Sequence, residues 1–247
     1  MKHPFRITGP EMAAAGTLIL ALFVVALPQA VHVASSRHVA SCANNLKQLG
    51  LVAKMYSSEN RGGHYPPRDP RPNHWMMDMR AVYPNYVNDL NLFICPGSPL
   101  AHERTFHGRD TEQMLPQCVT PLFYTYSGFT MLNNEQALAL FFALQENPEL
   151  IHTPDMIRLP VPQNGSRRRT GPIGQAAIPM MWDRVSPIAE HFSHRRPLGG
   201  NILHMDGHVR FVEYSDANNT SFFPMTRLAA ETYGWAVPPS PPGCEPY

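Results

Sequence analysis

The sequence predicts an α+β fold in which a long N-terminal helix, half of it transmembrane, packs on a small antiparallel sheet with long loops. Proline supplies 26 of the 247 residues, about twice its ordinary share. So much proline excludes an all-helical bundle. The other two observations are a long uncharged apolar run near the N-terminus and an Asp-Gly pair between two β-prone runs near the C-terminus. Together they predict one long helix followed by a head that contains a sheet.

The N-terminal run is apolar enough to predict a membrane span. Residues 12–36 contain no Asp, Glu, Lys or Arg, and about 20 apolar residues suffice for a helix to cross hydrocarbon. Lys2, His3 and Arg6 precede the run, so the positive-inside rule places the N-terminus in the cytoplasm and the rest of the chain outside it. We therefore expect a single-pass inner-membrane protein. The alternative is a secretory signal peptide whose cleavage releases the chain.

The helix is expected to continue beyond this run to about Ser58. Apolar residues recur there at spacings of three and four, which places them on one helix face. The predicted division of the chain is 1–36 for the segment with the transmembrane helix, 37–58 for the amphipathic continuation, 59–237 for the periplasmic α+β head and 238–247 for a proline-rich tail. The apolar face consists of Val39, Cys42, Leu46, Leu49, Ala53 and Tyr56.

The net charge argues against nucleic acid as a partner. Lys and Arg number 20 and Asp and Glu number 19, which leaves a formal net charge of +1. Proteins that hold nucleic acid through its phosphates carry a basic surplus or stripe. We therefore expect no nucleic-acid partner.

The Asp206-Gly207 pair predicts a β-hairpin with a type I′ turn, because it separates two short β-prone runs. The same region offers an alternative interpretation as a metal site. On an undisturbed strand, three of its potential ligands would alternate onto one face, but the turn breaks that alternation. The hairpin is therefore the main interpretation, and we expect neither a metal nor another cofactor. The potential ligands are His191, His194, His204, Asp206 and His208.

The four cysteines, Cys42, Cys95, Cys118 and Cys244, all lie outside the predicted membrane span. In an oxidising compartment they could form two disulfides, for which three connectivities exist. The alternative is that they are buried free thiols. No histidine can be assigned as the partner of a catalytic thiol, so we do not expect one of the cysteines to be catalytic.

Three stretches of the chain resemble a known family. The first contains Glu11, then the apolar run with Pro28, and then the block Cys42-Ala43-Asn44-Asn45-Leu46-Lys47-Gln48-Leu49-Gly50. The second is Phe93-Ile94-Cys95-Pro96, and the third joins His194 to Asp206-Gly207. With these residues the chain resembles type IV pilins and type II secretion pseudopilins, in particular the planctomycete-type group. In that group nine residues separate the histidine from Asp-Gly, whereas 11 do so here.

The resemblance implies roles for several residues. It implies a pilin-like fold, an assembly role for Glu11, and a helix kink at Pro28. It also implies a disulfide between Cys42 and Cys95, since both belong to the similar stretches. Its implied partners are other pseudopilin subunits, the inner membrane and prepilin peptidase, with methylation as the associated modification. Arg6 stands where family members have the glycine before the cleavage point, so we expect inefficient processing to a chain that starts at Ile7.

From the resemblance we expect a structural subunit of a type II secretion or type IV pilus-type envelope assembly, which performs no chemistry. The alternative is a membrane-tethered periplasmic domain that binds a metal or acts as an enzyme through the cluster between His191 and His208.

Overall fold

The structure is a computed structural model that describes residues 9–59, 64–146, 174–216, 222–234 and 239–246. The chain forms two compact units, Met1–Arg37 and His38–Tyr247. Helix α1 runs from Gly9 to Glu59 and contributes residues to both units. The second unit contains all the other helices and strands that the structure describes.

The prediction that the first half of α1 is transmembrane is wrong, and so is the predicted single-pass inner-membrane location. Within the described residues, no helix has the combination of length and apolar character that a membrane span requires. The part of α1 from 36 to 59, which was predicted as the amphipathic continuation and not as the span, cannot serve as a span instead, because it carries Arg37, Lys47 and Lys54 among other polar residues. Each such charge costs about 2.5–3.5 kcal/mol at the centre of a bilayer.

In the described residues, the second unit contains three further helices and five strands. The helices are α2 (Met79–Val82), α3 (Asn134–Glu146) and α4 (Arg227–Tyr233). The strands are β1 (Tyr124–Tyr126), β2 (Pro179–Asp183), β3 (His194–Arg195), β4 (Leu198–His204) and β5 (Val209–Glu213). Short 3-10 helices lie at Leu90–Phe93, Pro116–Cys118, Gln175–Ala177 and Ala189–His191.

The strands form one antiparallel sheet around β4. Ile202 of β4 pairs with Trp182 of β2 and with Arg210 of β5, so β2 and β5 flank β4 on opposite sides. Gly199 pairs with His194 of β3 and with Glu213 of β5. Strands β2 and β3 therefore lie one after the other along the same edge of β4. β1 extends the sheet beyond β2.

Each face of the sheet is covered by helix. On one face, the predicted apolar side of α1 packs in a cluster that includes Leu203 of β4. Four residues of that side are fully buried: Cys42, Leu46, Leu49 and Ala53. Val39 and Tyr56 are half-buried. On the other face α3 and α4 pack with Ile202, the neighbour of Leu203, in a second cluster. Successive strand residues point to opposite faces, so β4 supplies both cores.

The hairpin between β4 and β5 forms at Asp206-Gly207, but the predicted type I′ turn is wrong. A type I′ turn needs positive φ at both central residues, and only Gly207 has it, at 96°. Gly207 N donates to His204 O at 2.8 Å, and His204 N donates to His208 O at 3.0 Å. Met205, Asp206 and Gly207 thus form a three-residue loop that ends in a left-handed glycine, the next most common hairpin connection.

The proline-rich segment at the C-terminus is attached to the head. Cys244 is buried and forms a disulfide with Cys118. Glu245 accepts a hydrogen bond from Arg104 Nε at 2.6 Å, and its backbone N–H donates to His107 O. Within 239–246 the segment is therefore part of the second unit rather than a separate tail.

Candidate functional site

A disulfide between Cys42 and Cys95 joins α1 to the segment that follows the 3-10 helix Leu90–Phe93. Both side chains are fully buried. This is the pairing that the resemblance implies, and it leaves Cys118 to pair with Cys244. None of the four cysteines is a free thiol.

His194 lies directly against this disulfide. Its Nε2 is 3.8 Å from Cys95 Sγ and 3.0 Å from Asp183 Oδ2. Asp183 is the last residue of β2 and His194 is the first of β3. Because these strands follow one another along the same edge of β4, the carboxylate and the imidazole meet where one strand ends and the next begins.

Asp183 is fully buried, and one of its two carboxylate oxygens accounts for all of its hydrogen bonds. Oδ2 accepts from the backbone N of Asn201 at 2.7 Å and from Asn201 Nδ2 at 2.8 Å. Asn201 Nδ2 also donates to the carbonyl of Val39 in α1 at 3.0 Å. The other oxygen, Oδ1, has no hydrogen-bond partner in the described structure. A buried polar atom without a partner is rare in native proteins and calls for an explanation.

Two glycines provide the space that this arrangement needs. A Cβ at Gly97 would lie 3.1 Å from Cε1 of His194 and 2.8 Å from Cβ of His38. A Cβ at Gly200 would lie 2.9 Å from Cβ of Asp183. These distances are shorter than ordinary packing contacts. A side chain at Gly97 would therefore displace His194, and one at Gly200 would displace Asp183. The site therefore depends on close backbone approach from two separate segments.

The block at 44–48 contributes to the same junction. Leu46 is fully buried in the core. Asn45 Nδ2 donates to the carbonyl of Ile94 at 2.9 Å, next to Cys95. Asn44 and Lys47 are exposed, and Gln48 is half-buried. Asn45 and Leu46 thus attach α1 to the head, while Asn44 and Lys47 face solvent.

The hairpin loop forms a second polar group at the other end of β4. Asp206 Oδ1 accepts from the backbone N of His208 at 3.0 Å and lies 2.6 Å from its Nδ1. The His208 hydrogen bonds lower the pKa of Asp206. Lys54 Nζ of α1 donates to the Asp206 carbonyl at 2.6 Å. The loop is therefore tied to α1 through its backbone.

His204 and His208 close the hairpin with stacked rings, whose centroids are 4.2 Å apart at an interplanar angle of 7°. Burial, and secondarily the neighbouring His208, lower the pKa of His204 to about 4. His204 is therefore neutral at pH 7.

The predicted ligand cluster between His191 and His208 does not come together as one site. His194 is held on Asp183, Asp206 is paired with His208, and His204 is stacked on His208. Across the described residues, the one group of three or more potential ligands close enough to hold an ion is Cys42, Cys95 and His194, whose ligand atoms lie within 4.8 Å of one another.

Of the residues predicted to have an assembly role, Glu11 and Pro28 both fall within α1. Their side chains lie outside the described part of the structure. Sequence reasoning missed Asp183 and did not assign a role to Asn201. The sequence does contain one indication of Asp183, because it is a single acidic residue that directly follows the apolar residues 179–182.

Comparison with known proteins finds no match: no family model fits the chain, and no curated protein or solved structure is significantly similar to it.

Proposed function

We propose that the chain is a structural, pilin-like subunit that assembles with other subunits through α1 and performs no chemistry. The observation that carries this proposal is that apolar side chains are buried in the second part of α1 and exposed in the first part. The described side chains at Cys42 and beyond supply buried core residues to the chain's own head. In the first unit, Leu20 and Val24 are each 67% exposed. They are four residues apart and so lie on one helix face.

Large apolar side chains on an exposed helix face are typical of an interaction surface. Other helices of the same kind fit such a face, because helices pack through ridges of residues three and four apart. The firm attachment of α1 to the head, through the disulfide and through Asn45 and Lys54, supports the proposal as well.

The alternative of a metal-dependent domain is not favoured by the described geometry. His194 is held on Asp183, whereas His204, Asp206 and His208 contact one another in the hairpin and, among the described residues, do not form a group of ligand atoms close enough to hold an ion. We therefore retain the structural subunit as the single proposal.

Photo-crosslinking in the native host tests the proposal. A photoreactive phenylalanine analogue replaces Leu20 or Val24 in the full chain, and the matched control carries it at Glu112, an exposed position in the head. We expect crosslinks from positions 20 and 24 to other subunits and few from 112. Replacing Leu20 and Val24 with Arg should disperse the assemblies, and Glu11→Ala should do the same. Chains that remain monomeric and uncrosslinked at all three positions would contradict the proposal.

A further inference from the structure

The disulfide at the junction of α1 and the head lies in surroundings that suit a metal ion. The two sulfur atoms and His194 place three ligand atoms within 4.8 Å of one another, all three residues being buried. Zinc favours such sulfur and nitrogen ligands, at about 2.3 and 2.0–2.1 Å in tetrahedral geometry. The 3.8 Å between Cys95 Sγ and His194 Nε2 is close to the separation that two neighbouring ligands of one zinc ion would have.

Asp183 is an independent indication of a ligand at this place. It is fully buried, its Oδ2 is 3.0 Å from His194 Nε2, and its Oδ1 has no hydrogen-bond partner in the described structure. Because Oδ2 lies against the same nitrogen that faces Cys95 Sγ, the carboxylate is placed to complete the ligand set of an ion bound there, and carboxylate oxygens are ordinary zinc ligands. The two hydrogen bonds from Asn201 to Oδ2 supply the outer contacts that hold such a carboxylate in place.

We infer that reduction of the Cys42–Cys95 disulfide converts this junction into a zinc site. A phosphine or dithiol reductant supplies two electrons, the S–S bond breaks, and each sulfur takes up one proton. Zn²⁺ then replaces those two thiol protons and is bound by both sulfurs, by His194 Nε2 and by Asp183 as the fourth ligand, while the proton on Nε2 moves to the other ring nitrogen of His194. The two positive charges of the ion balance the two thiolates.

The site gives α1 two chemically different attachments to the head. The disulfide holds them together under oxidising conditions, and zinc holds the same three residues together when the cysteines are reduced. The second disulfide, Cys118–Cys244, belongs to no such ligand group within the described residues. Its removal therefore leaves the proposed ligands in place.

The test uses the full chain with Cys118→Ser and Cys244→Ser, which leaves a single cysteine pair. The protein is reduced with a phosphine under anaerobic conditions and titrated with Co²⁺ and then with Zn²⁺. We expect one metal ion per chain, a thiolate-to-cobalt charge-transfer band, and release of two protons per ion. The oxidised protein should bind none. His194→Ala and Asp183→Asn should each weaken binding at least tenfold, because each removes one ligand.

His194→Cys controls for a folding defect, because it replaces one ligand with another and should restore binding with a cobalt spectrum shifted towards three sulfur ligands. If the reduced chain loses structure without metal and regains it with zinc, the inference is supported. It is overturned if the reduced chain takes up no metal, whether folded or not. It is also overturned if His194→Ala binds as tightly as the parent, since free thiols alone would then account for the uptake.

Discussion

The attachment of α1 to the head by the Cys42–Cys95 disulfide makes a quantitative prediction. The two cysteines are 53 residues apart, and removal of the bond lets the unfolded chain regain the entropy of that loop. The chain-entropy relation gives about 4 kcal/mol for a loop of this length. We therefore expect the double variant Cys42→Ala, Cys95→Ala to lose about 4 kcal/mol of unfolding free energy.

Equilibrium unfolding in urea under non-reducing conditions measures this loss. The matched control is Cys118→Ala, Cys244→Ala, whose loop spans 126 residues, so that the same relation gives about 5 kcal/mol. Both variants should also show a larger denaturant slope, because their unfolded states expose more surface. A loss below about 1 kcal/mol for the Cys42 and Cys95 variant, with the expected loss in the control, would refute the conclusion that this bond attaches α1 to the head.

Three further predictions concern the sheet and its hairpin. Because the pKa of His204 is lowered to about 4 in the folded chain and is about 6.5 when unfolded, the unfolded state binds the extra proton between these values. The contribution of this group to the unfolding free energy should be present above pH 6.5 and should be lost towards pH 4, by up to about 3 kcal/mol. Thermal or urea unfolding over this pH range measures the loss, and a His204→Gln variant with the same pH dependence as the parent protein would contradict it. Asp183→Ala removes the acceptor for three buried donor atoms and should lower the unfolding free energy by about 2–4 kcal/mol. Glu213→Ala, at an exposed position of β5, should change it by less than about 0.5 kcal/mol, and equal losses in the two variants would argue against the buried contacts. Gly207→Val places a β-branched side chain at a φ of 96° and should cost about 1–3 kcal/mol in the same unfolding assay, and a neutral effect would show that the loop adopts another conformation.

Some features of the fold follow from local patterns in the sequence. The three-and-four spacing of apolar residues predicted which face of α1 is buried, and Cys42, Leu46, Leu49 and Ala53 are indeed fully buried. The start of α3 likewise follows from a local pattern, because Asn133 is a capping residue whose Oδ1 accepts from the backbone N of Gln136 at 2.9 Å. Such predictions succeed because side-chain direction in a helix depends only on position along the chain.

Other features could not be predicted from local patterns. The hairpin position was right, but the turn type depends on how β4 and β5 pair, and their register produces the three-residue loop with Gly207 at its end. The membrane prediction failed because it was based on one apolar run. The described helices do not meet the requirements of a span.

The sequence by itself determined the α+β class, the buried face of α1, the position of the hairpin and the presence of four cysteines outside the apolar run. These features depend on residues that are close together in the chain. Only the tertiary structure decided that His194 meets Asp183 and the Cys42–Cys95 disulfide, because that contact requires β2 and β3 to lie along the same edge of β4. Residues from α1, β2, β3 and the segment after Leu90–Phe93 converge there, and strand register sets such long-range contacts.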